Sequence, residues 1–457
     1  MSIACSMSSA ASILESNEMM KGVCHFIILS LYGSLLFLLP QGAMGQTTVA
    51  LQPSSPAERL EKFAEKVRHT EWQQGPHRLT LPNGVSDVLS MNYVDGYSVG
   101  PHFIYSHLNN DRSGWEVEPT VRWAFSRNCM VAKASLRYLW PVEQQRFVAL
   151  YGGQTMEDFD EEPVMPMQHS LMASGLFGWN HYKLVERTQA GLRASTPMGG
   201  ALQLTGDVRW ERRRAKQNHT GHNLFGVEAQ SNVPRIRDVA DEPHLTLYDG
   251  PVEAELVKVG LQLDVLANKV LYVQDEWTAV ALSSSPHFIL KAEAGQGVGQ
   301  RWSSMRFASL DFGVRQALKL ERWEDQLRYH LGLGAMWHEG EVGLADWHHL
   351  DASTFWWQCT DGLTHFALLD NYELSTDRWW SEAHVEWSSP CMLLTQLTQT
   401  SDFRETLQLH LAHVAGRQTH WECWYGWDLL GQMKLGVTLG FDNWRYAGMA
   451  YGLVLII

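Results

Sequence analysis

Glu382, His384 and Glu386 stand at alternate positions, with Asp377 and Arg378 just upstream. Alternate residues of a β-strand share one face. Two carboxylates and an imidazole would then line up beside a second acid and base. Such a face can form a buried polar network, or it can be the solvated wall of a channel. It does not make a catalytic centre, because nothing fixes a nucleophile with its base. Other groups are weaker. His219 and His222 fall in a polar stretch, and His338-Glu339 and His348-His349 lie near carboxylates. None has the HExxH spacing that puts two ligands and a base on one helix face. The run Gly295-Gln296-Gly297-Val298-Gly299 has a strand-like setting and no helix after it, so it reads as a turn and not a phosphate cradle. No P-loop or dinucleotide motif is present. The sequence calls for no metal and no cofactor.

The elements that must position these residues are strands. From about Val85 the chain alternates apolar and polar residues again and again. Leu202, Leu204, Val208 and Trp210 alternate with Gln203, Thr205, Asp207, Arg209 and Glu211. Met433, Leu435, Val437, Leu439 and Phe441 alternate with Lys434, Thr438 and Asp442. Each segment has one apolar and one polar face. A soluble sandwich turns the apolar faces inward; a transmembrane barrel turns them to lipid around a polar lumen. Three features favour the barrel. The segments run to about nine to twelve residues, which suits a tilted crossing of the bilayer. Trp115, Trp140, Trp210 and Trp337 close apolar faces as an aromatic girdle would. Gly313, Gly332, Gly334, Gly436 and Gly440 lie on polar faces, where a curved sheet has to bend. The expected fold is all-β: a transmembrane antiparallel barrel of about 14 to 16 strands. Thr155–Gln168, Arg212–His244 and Glu339–Gln358 read as its surface loops.

One short amphipathic helix precedes the barrel. Ser55-Pro56-Ala57-Glu58 is an N-terminal capping pattern, and Leu60, Phe63, Ala64 and Val67 share a face. It belongs to a segment, residues 46–84, expected on the periplasmic side. Before it, Lys21, the apolar run Phe26–Leu39 and Ala43-Met44-Gly45 read as a signal peptide within residues 1–45, cut before Gln46. Residues 1–18 do not fit that pattern, and Met19 or Met20 is the expected start.

Composition agrees with an exported membrane protein. Of 457 residues only 19% are charged, and 20 are Trp, whose ring settles at lipid–water interfaces. A Trp-rich soluble β-protein would share that excess. The net charge of −14 argues against nucleic acid, whose binding depends on phosphate neutralisation. Arg212-Arg213-Arg214 with Lys216 is the one compact basic run and reads as a loop. Cys129, Cys359, Cys391 and Cys423 follow the signal peptide with no CxxC pair and no zinc spacing. An oxidising compartment would permit a disulfide, but the sequence assigns none.

Three stretches resemble a known family. Asn92-Tyr93-Val94-Asp95-Gly96-Tyr97-Ser98-Val99-Gly100 is similar to the opening strand of barrels of the surface-antigen superfamily, which includes BamA-type assembly proteins. Asn371–Trp380 resembles a hairpin of an uncharacterised Bacteroidetes branch whose barrel often follows a carboxypeptidase-regulatory-like domain. The closing run His420–Ile457, with Gly-rich strands and an Asp442-Asn443 turn, is the third. The resemblance implies an outer-membrane location, a role in envelope biogenesis or transport, and outer-membrane lipid and other envelope proteins as partners. It also implies that an inward-folded loop seats against the Asp377–Glu386 region. Two departures weaken an assembly role: residues before Val85 are too few for a regulatory-like or POTRA-type domain, and the last residue is Ile457, not Phe. An outer-membrane hydrolase with a site at the lumen rim is the alternative.

Overall fold

The computed structural model describes residues 69–82, 88–141, 144–161, 173–199, 201–237, 245–266, 285–320, 325–358, 363–390, 392, 404–416, 418–429 and 433–455. They belong to one compact unit, Lys62–Ile457. The expected signal peptide and the expected helix over 55–67 lie outside the described residues, as do Cys359 and Cys391.

Strands dominate. In chain order they are β1 (His69–Gln74), β2 (His77–Pro82), β3 (Leu89–Asn92), β4 (Gly96–Val99), β5 (Ile104–Leu108), β6 (Gly114–Ala124), β7 (Cys129–Leu139), β8 (Phe147–Asp158), β9 (Leu184–Pro197), β10 (Leu202–Ala215), β11 (Arg235–Arg237), β12 (Leu245–Leu247), β13 (Ala254–Leu266), β14 (His287–Gly297), β15 (Arg306–Leu320), β16 (Asp325–Glu339), β17 (Trp357–Gln358), β18 (Trp379–Ser389), β19 (Arg404–Val414), β20 (Thr419–Leu429), β21 (Met433–Asp442) and β22 (Arg445–Leu455). All but β11 and β12 join one sheet. Its long strands are β6–β10, β13–β16 and β18–β22, fourteen in all, each antiparallel to its neighbour. This is the all-β barrel fold expected from the alternation, but the sheet has twenty described strands where about 14 to 16 were expected, the excess being the short β1–β5 and β17. Among the described residues the sheet is not closed: β1 and β22 do not pair, and β22 instead takes a short parallel pairing from β17.

The alternation sorts residues by face. Leu192, Val208, Leu261 and Leu333 are 51%, 50%, 53% and 56% exposed, whereas Asp207, Arg209, Glu211 and Arg213 are 9% or less. Apolar residues therefore look outward and charged ones inward, the reverse of a soluble sandwich. Trp115, Trp337, Tyr446 and Tyr451 are also exposed.

The structure corrects four readings of the sequence. The sheet starts well before Val85: β1 and β2 form a hairpin, and β2 pairs with β5. Arg212-Arg213-Arg214 is not a loop but the end of β10, because Arg213 continues the inward phase of Asp207, Arg209 and Glu211. The motif at Asn92–Gly100 is not one strand but a hairpin, β3 and β4, whose turn is buried; the Asn92 side chain accepts the backbone N–H groups of Val94 and Asp95. The surface loop expected over Glu339–Gln358 instead folds inward, with Leu344, Ala345 and Leu350 buried. Lumen glycines leave room for side chains. A Cβ on Gly332 would stand 2.8 Å from Glu382, and one on Gly334 would run into Trp380 and Asp311.

Connections of very different length share one end. Short turns such as Asn443-Trp444, both at positive φ, match a tight hairpin. At that same end lie the long connections between β8 and β9, β10 and β13, and β16 and β18. The last folds inward over its described residues, 340–358 and 363–378. It bridges itself at His348–Thr376 and Ala352–Phe366. Its Leu350, Ala352, Phe366, Leu369 and Leu374 pack with Ala412 and Val414 of β19. Leu344, Ala345 and Tyr372 pack with Phe159, Val185 and Tyr248. The apolar core of this protein is thus inside the lumen, at the long-connection end. Each buried Leu or Phe there contributes roughly 1.5–3 kcal/mol.

Candidate functional site

Two polar constellations hold the inward segment to the lumen wall. The first surrounds Asp346, which ends a short 3-10 turn, Leu344–Asp346. Arg213 of β10 grips the Asp346 carboxylate with both terminal nitrogens, at 2.8 and 2.5 Å, and gives its Nε to Glu211 at 2.7 Å. Lys258 of β13 reaches Asp346, Glu161 and Glu293 at 2.8, 2.9 and 3.0 Å. Arg209 donates to Glu161, Glu293, Asp207 and Glu211. Burial opposes ionisation of Asp346, but Arg213 and Lys258 outweigh it and hold the carboxyl below its ordinary range. Glu161 behaves alike: burial is overcome by Lys258, Arg187 and Arg209, and its pKa falls well below normal. Paired in this way, charges can be buried; alone they could not.

The second constellation is built on imidazoles. Phe366, fully buried, lies against the rings of His384, His410 and His420, from β18, β19 and β20, with centroids 5.2, 5.8 and 5.7 Å away. The Nδ1 atoms of His384 and His410 are 2.9 Å apart, so one donates and the other accepts. Glu422 of β20 accepts the backbone N–H groups of Ala367 and Leu368, both at 2.8 Å, and bonds His420 at 2.9 Å. His365 bonds Asp351 at 2.9 Å. Burial would lower the His365 pKa, but Asp351 outweighs it and the pKa is raised.

Glu382, His384 and Glu386 do share the lumen face of β18. Glu382 lies 3.4 Å from both His330 and His384. Glu386 binds Lys434 and Arg328, each at 2.7 Å, and accepts from Gln408. Asp377 and Arg378 stand apart from them. β18 begins only at Trp379, so they precede the strand; Asp377 pairs with His338 at the rim, 3.1 Å away, and Arg378 is exposed. His219 and His222 are not brought to this site. His348 stacks on Trp380 at 3.9 Å, and His349 bonds Ser375 at 2.7 Å. Among the described residues no group of three or more His, Cys, Asp or Glu could hold a metal ion. Cys129 and Cys423 are free thiols.

Arg213, Lys258, Asp346, Phe366 and Glu422 carry the site, yet spacing alone did not single them out. Arg213 could have been found by continuing the phase of β10 past Glu211. Gly96-Tyr97-Ser98-Val99-Gly100 has the G-x-S-x-G spacing of a nucleophile elbow, which needs a strand–turn–helix. Ser98 lies instead inside β4 and shares a 2.6 Å hydrogen bond with Ser90.

Below the inward segment lies a cavity of about 650 Å³. Lumen faces of β10, β13–β16 and β18 form its walls, and Trp347, His348, His349 and Asp351 belong to its lining. Burial lowers the pKa of His348 to about 4 and that of His349 to about 3, so both rings stay neutral near pH 7.

An antiparallel wall, apolar outside and charged within, around an inward-folded connection defines a β-barrel of the outer-membrane type. The chain belongs to a family of unknown function, DUF5686: residues 70–427 match its C-terminal domain. That match begins within β1. No curated protein matches the sequence. Among solved structures the chain is similar to BamA from Haemophilus ducreyi lacking POTRA domains 1–3 (10% identity, TM-score 0.42, covering 87% of this chain and 76% of that one). It is also similar to CdiB from Acinetobacter baumannii (10%, 0.34), covering 80% of this chain but only 57% of that one. A third is Wzi from Escherichia coli, an outer-membrane carbohydrate-binding β-barrel involved in group 1 capsule assembly (9%, 0.31, 88% and 87%).

Proposed function

We propose that this protein is exported through its signal peptide, resides in the outer membrane, and serves there in envelope biogenesis or transport as a plugged barrel. One observation carries the reading: residues 340–358 and 363–378 fold into the lumen and are fixed to its wall by buried ion pairs and by the Phe366 seat, while the outer wall is apolar. A segment bound that firmly blocks passive flow. Outer-membrane lipid is the partner of the apolar wall, and other envelope proteins would meet the long connections.

The hydrolase reading finds less support. Among the described residues Ser375 and His349 are the closest approach to a nucleophile and base, but Ser375 donates to the Tyr372 carbonyl at 2.9 Å. Burial lowers the His349 pKa to about 3, far from the value a general base needs near neutral pH.

Membrane fractionation and heat-modifiable gel migration test location and fold. Planar-bilayer conductance tests the plug. The expected result is outer-membrane recovery, a heat-dependent gel shift and conductance near baseline that rises when residues 344–374 are replaced by a short Gly-Ser linker. Recovery in a soluble fraction, or a large resting conductance, would overturn the proposal.

A further inference from the structure

The seating of the inward segment leaves the 650 Å³ cavity unexplained. Its volume lies in the range of small-molecule sites. Four cations line it, and three of them have carboxylate partners, while the fourth, Lys291, stands opposite Asp311 in the β14–β15 register. Arg209 has four carboxylate partners, Lys258 has Asp346, Glu161 and Glu293, and Arg193 has Asp207 at 3.3 Å. An anionic ligand would have to displace those carboxylates.

Acceptors point the other way. The Ser375 hydroxyl donates to the Tyr372 carbonyl, so its oxygen accepts from the Nδ1–H of His349. In that tautomer His349 Nε2 keeps a lone pair, and the Leu344 carbonyl is the backbone group at the ring. Nε2 is buried and has no hydrogen-bond partner among the described residues. Asp351 spends Oδ1 on His365, and its buried Oδ2 likewise has none. Glu382, also in the lining, holds its two histidines only at 3.4 Å. Buried acceptors left without donors are costly; His349 and Asp351 each have one, and with Glu382 they line one cavity.

We propose that this cavity binds a small organic ammonium compound rich in further N–H or O–H donors, of amino-sugar or polyamine size, with Asp351, Glu382 and His349 as its acceptors. The charge of the ligand answers the two carboxylates, and its extra donors answer the neutral imidazole. The site rests on the packed lumen of the plugged-barrel reading and not on the membrane location.

Isothermal titration of the full chain in detergent tests it, with glucosamine and spermidine as probes and glucose and glucuronate as controls. At least one ammonium probe should bind saturably at one site, glucose at least tenfold more weakly, and glucuronate not at all. Asp351→Asn and Glu382→Gln should each weaken the probe tenfold or more. Gly260→Leu is a variant that leaves every charge in place. Gly260 lines the cavity and its Cβ direction meets only Asp207 Cβ, at 3.9 Å, so the added side chain fills the space and should abolish binding. Each variant is compared only if its heat-dependent gel shift matches the parent; if Glu382→Gln fails this, Asp351→Asn and Gly260→Leu decide. Absence of saturable binding by both ammonium probes, glucuronate binding as tight as theirs, or unchanged affinity in the folded variants would overturn the site. A failed titration with an intact gel shift leaves the plugged barrel standing, whereas loss of the shift in the parent protein fails the barrel itself.

Discussion

The inward segment is fastened at two points by opposite means. Around Asp346 the fastening is full charge against full charge, with Arg213 and Asp346 side chains both 0% exposed. Around Phe366 it is an aromatic ring among imidazoles, with one carboxylate accepting two backbone N–H groups. A charge anchor depends on partner identity, because removing one partner strands the other in a place water cannot reach. A ring seat depends on shape, because its energy comes from filled volume. The two should therefore answer differently to the same kinds of change.

The largest effect is expected at the charge anchor. Asp346→Ala leaves Arg213 and Lys258 buried with fewer counter-charges, and breaking a buried pair costs about 3–5 kcal/mol. Thermal unfolding in detergent would measure it. Replacing both partners, as Arg213→Met with Asp346→Leu, should recover most of that loss. A loss below about 1 kcal/mol for Asp346→Ala would mean that water reaches the ion pairs and that the two anchors do not differ in kind.

Next comes the seat. Phe366→Ala should cost about 3 kcal/mol through the cavity it leaves, and Phe366→Leu less than about 1.5 kcal/mol because most of the volume stays. Equal losses for the two variants would contradict a seat held by shape.

Acid should separate the anchors by pH. His348 and His349 have folded pKa values of about 4 and 3, lowered by burial, against about 6.5 in an unfolded chain. Between those limits the unfolded state binds more protons, so stability falls as pH drops from about 6.5 toward 4. Asp346 has a lowered folded pKa; its contribution is present above the unfolded carboxyl value and is lost only as pH falls below it. His365 has the opposite sign. Its raised pKa gives stability that is present below about 6.5 and is lost as pH rises through the folded value. The melting temperature should then fall between pH 6.5 and 4.5 with the ion pairs intact, and His349→Gln should flatten that slope. An unchanged slope in the variant would remove His349 from this account.

The wall was legible in the sequence and the anchors were not, for a physical reason. Strand faces repeat every second residue, so the inward phase of Glu382, His384 and Glu386 follows from spacing alone. The inward segment has no period, and its partners are remote: Arg213 and Asp346 are 133 positions apart, and Asp158 and Tyr372 214. Only the folded chain brings such residues together. Adjacency also misled. Asp377 and Arg378 neighbour the β18 face in sequence, yet they precede its first residue and stand outside the phase that turns side chains inward.

That distinction gives the smallest expected effect. Asp377 and its partner His338 are 28% and 30% exposed, and half-open pairs of this kind contribute under about 1 kcal/mol. Asp377→Asn and Arg378→Gln should each shift unfolding by less than that, and the double variant should equal their sum within about 0.5 kcal/mol, as for sites that share no partner. Glu386→Gln should behave otherwise. It leaves Lys434, whose side chain is 4% exposed, without its carboxylate, and the loss should exceed that of either rim variant. A coupling above about 1 kcal/mol between Asp377 and Arg378 would extend the buried network to the rim and erase the boundary at Trp379. Additive, small effects would place that boundary where the strand begins, because only from there does alternation carry a charge into the lumen.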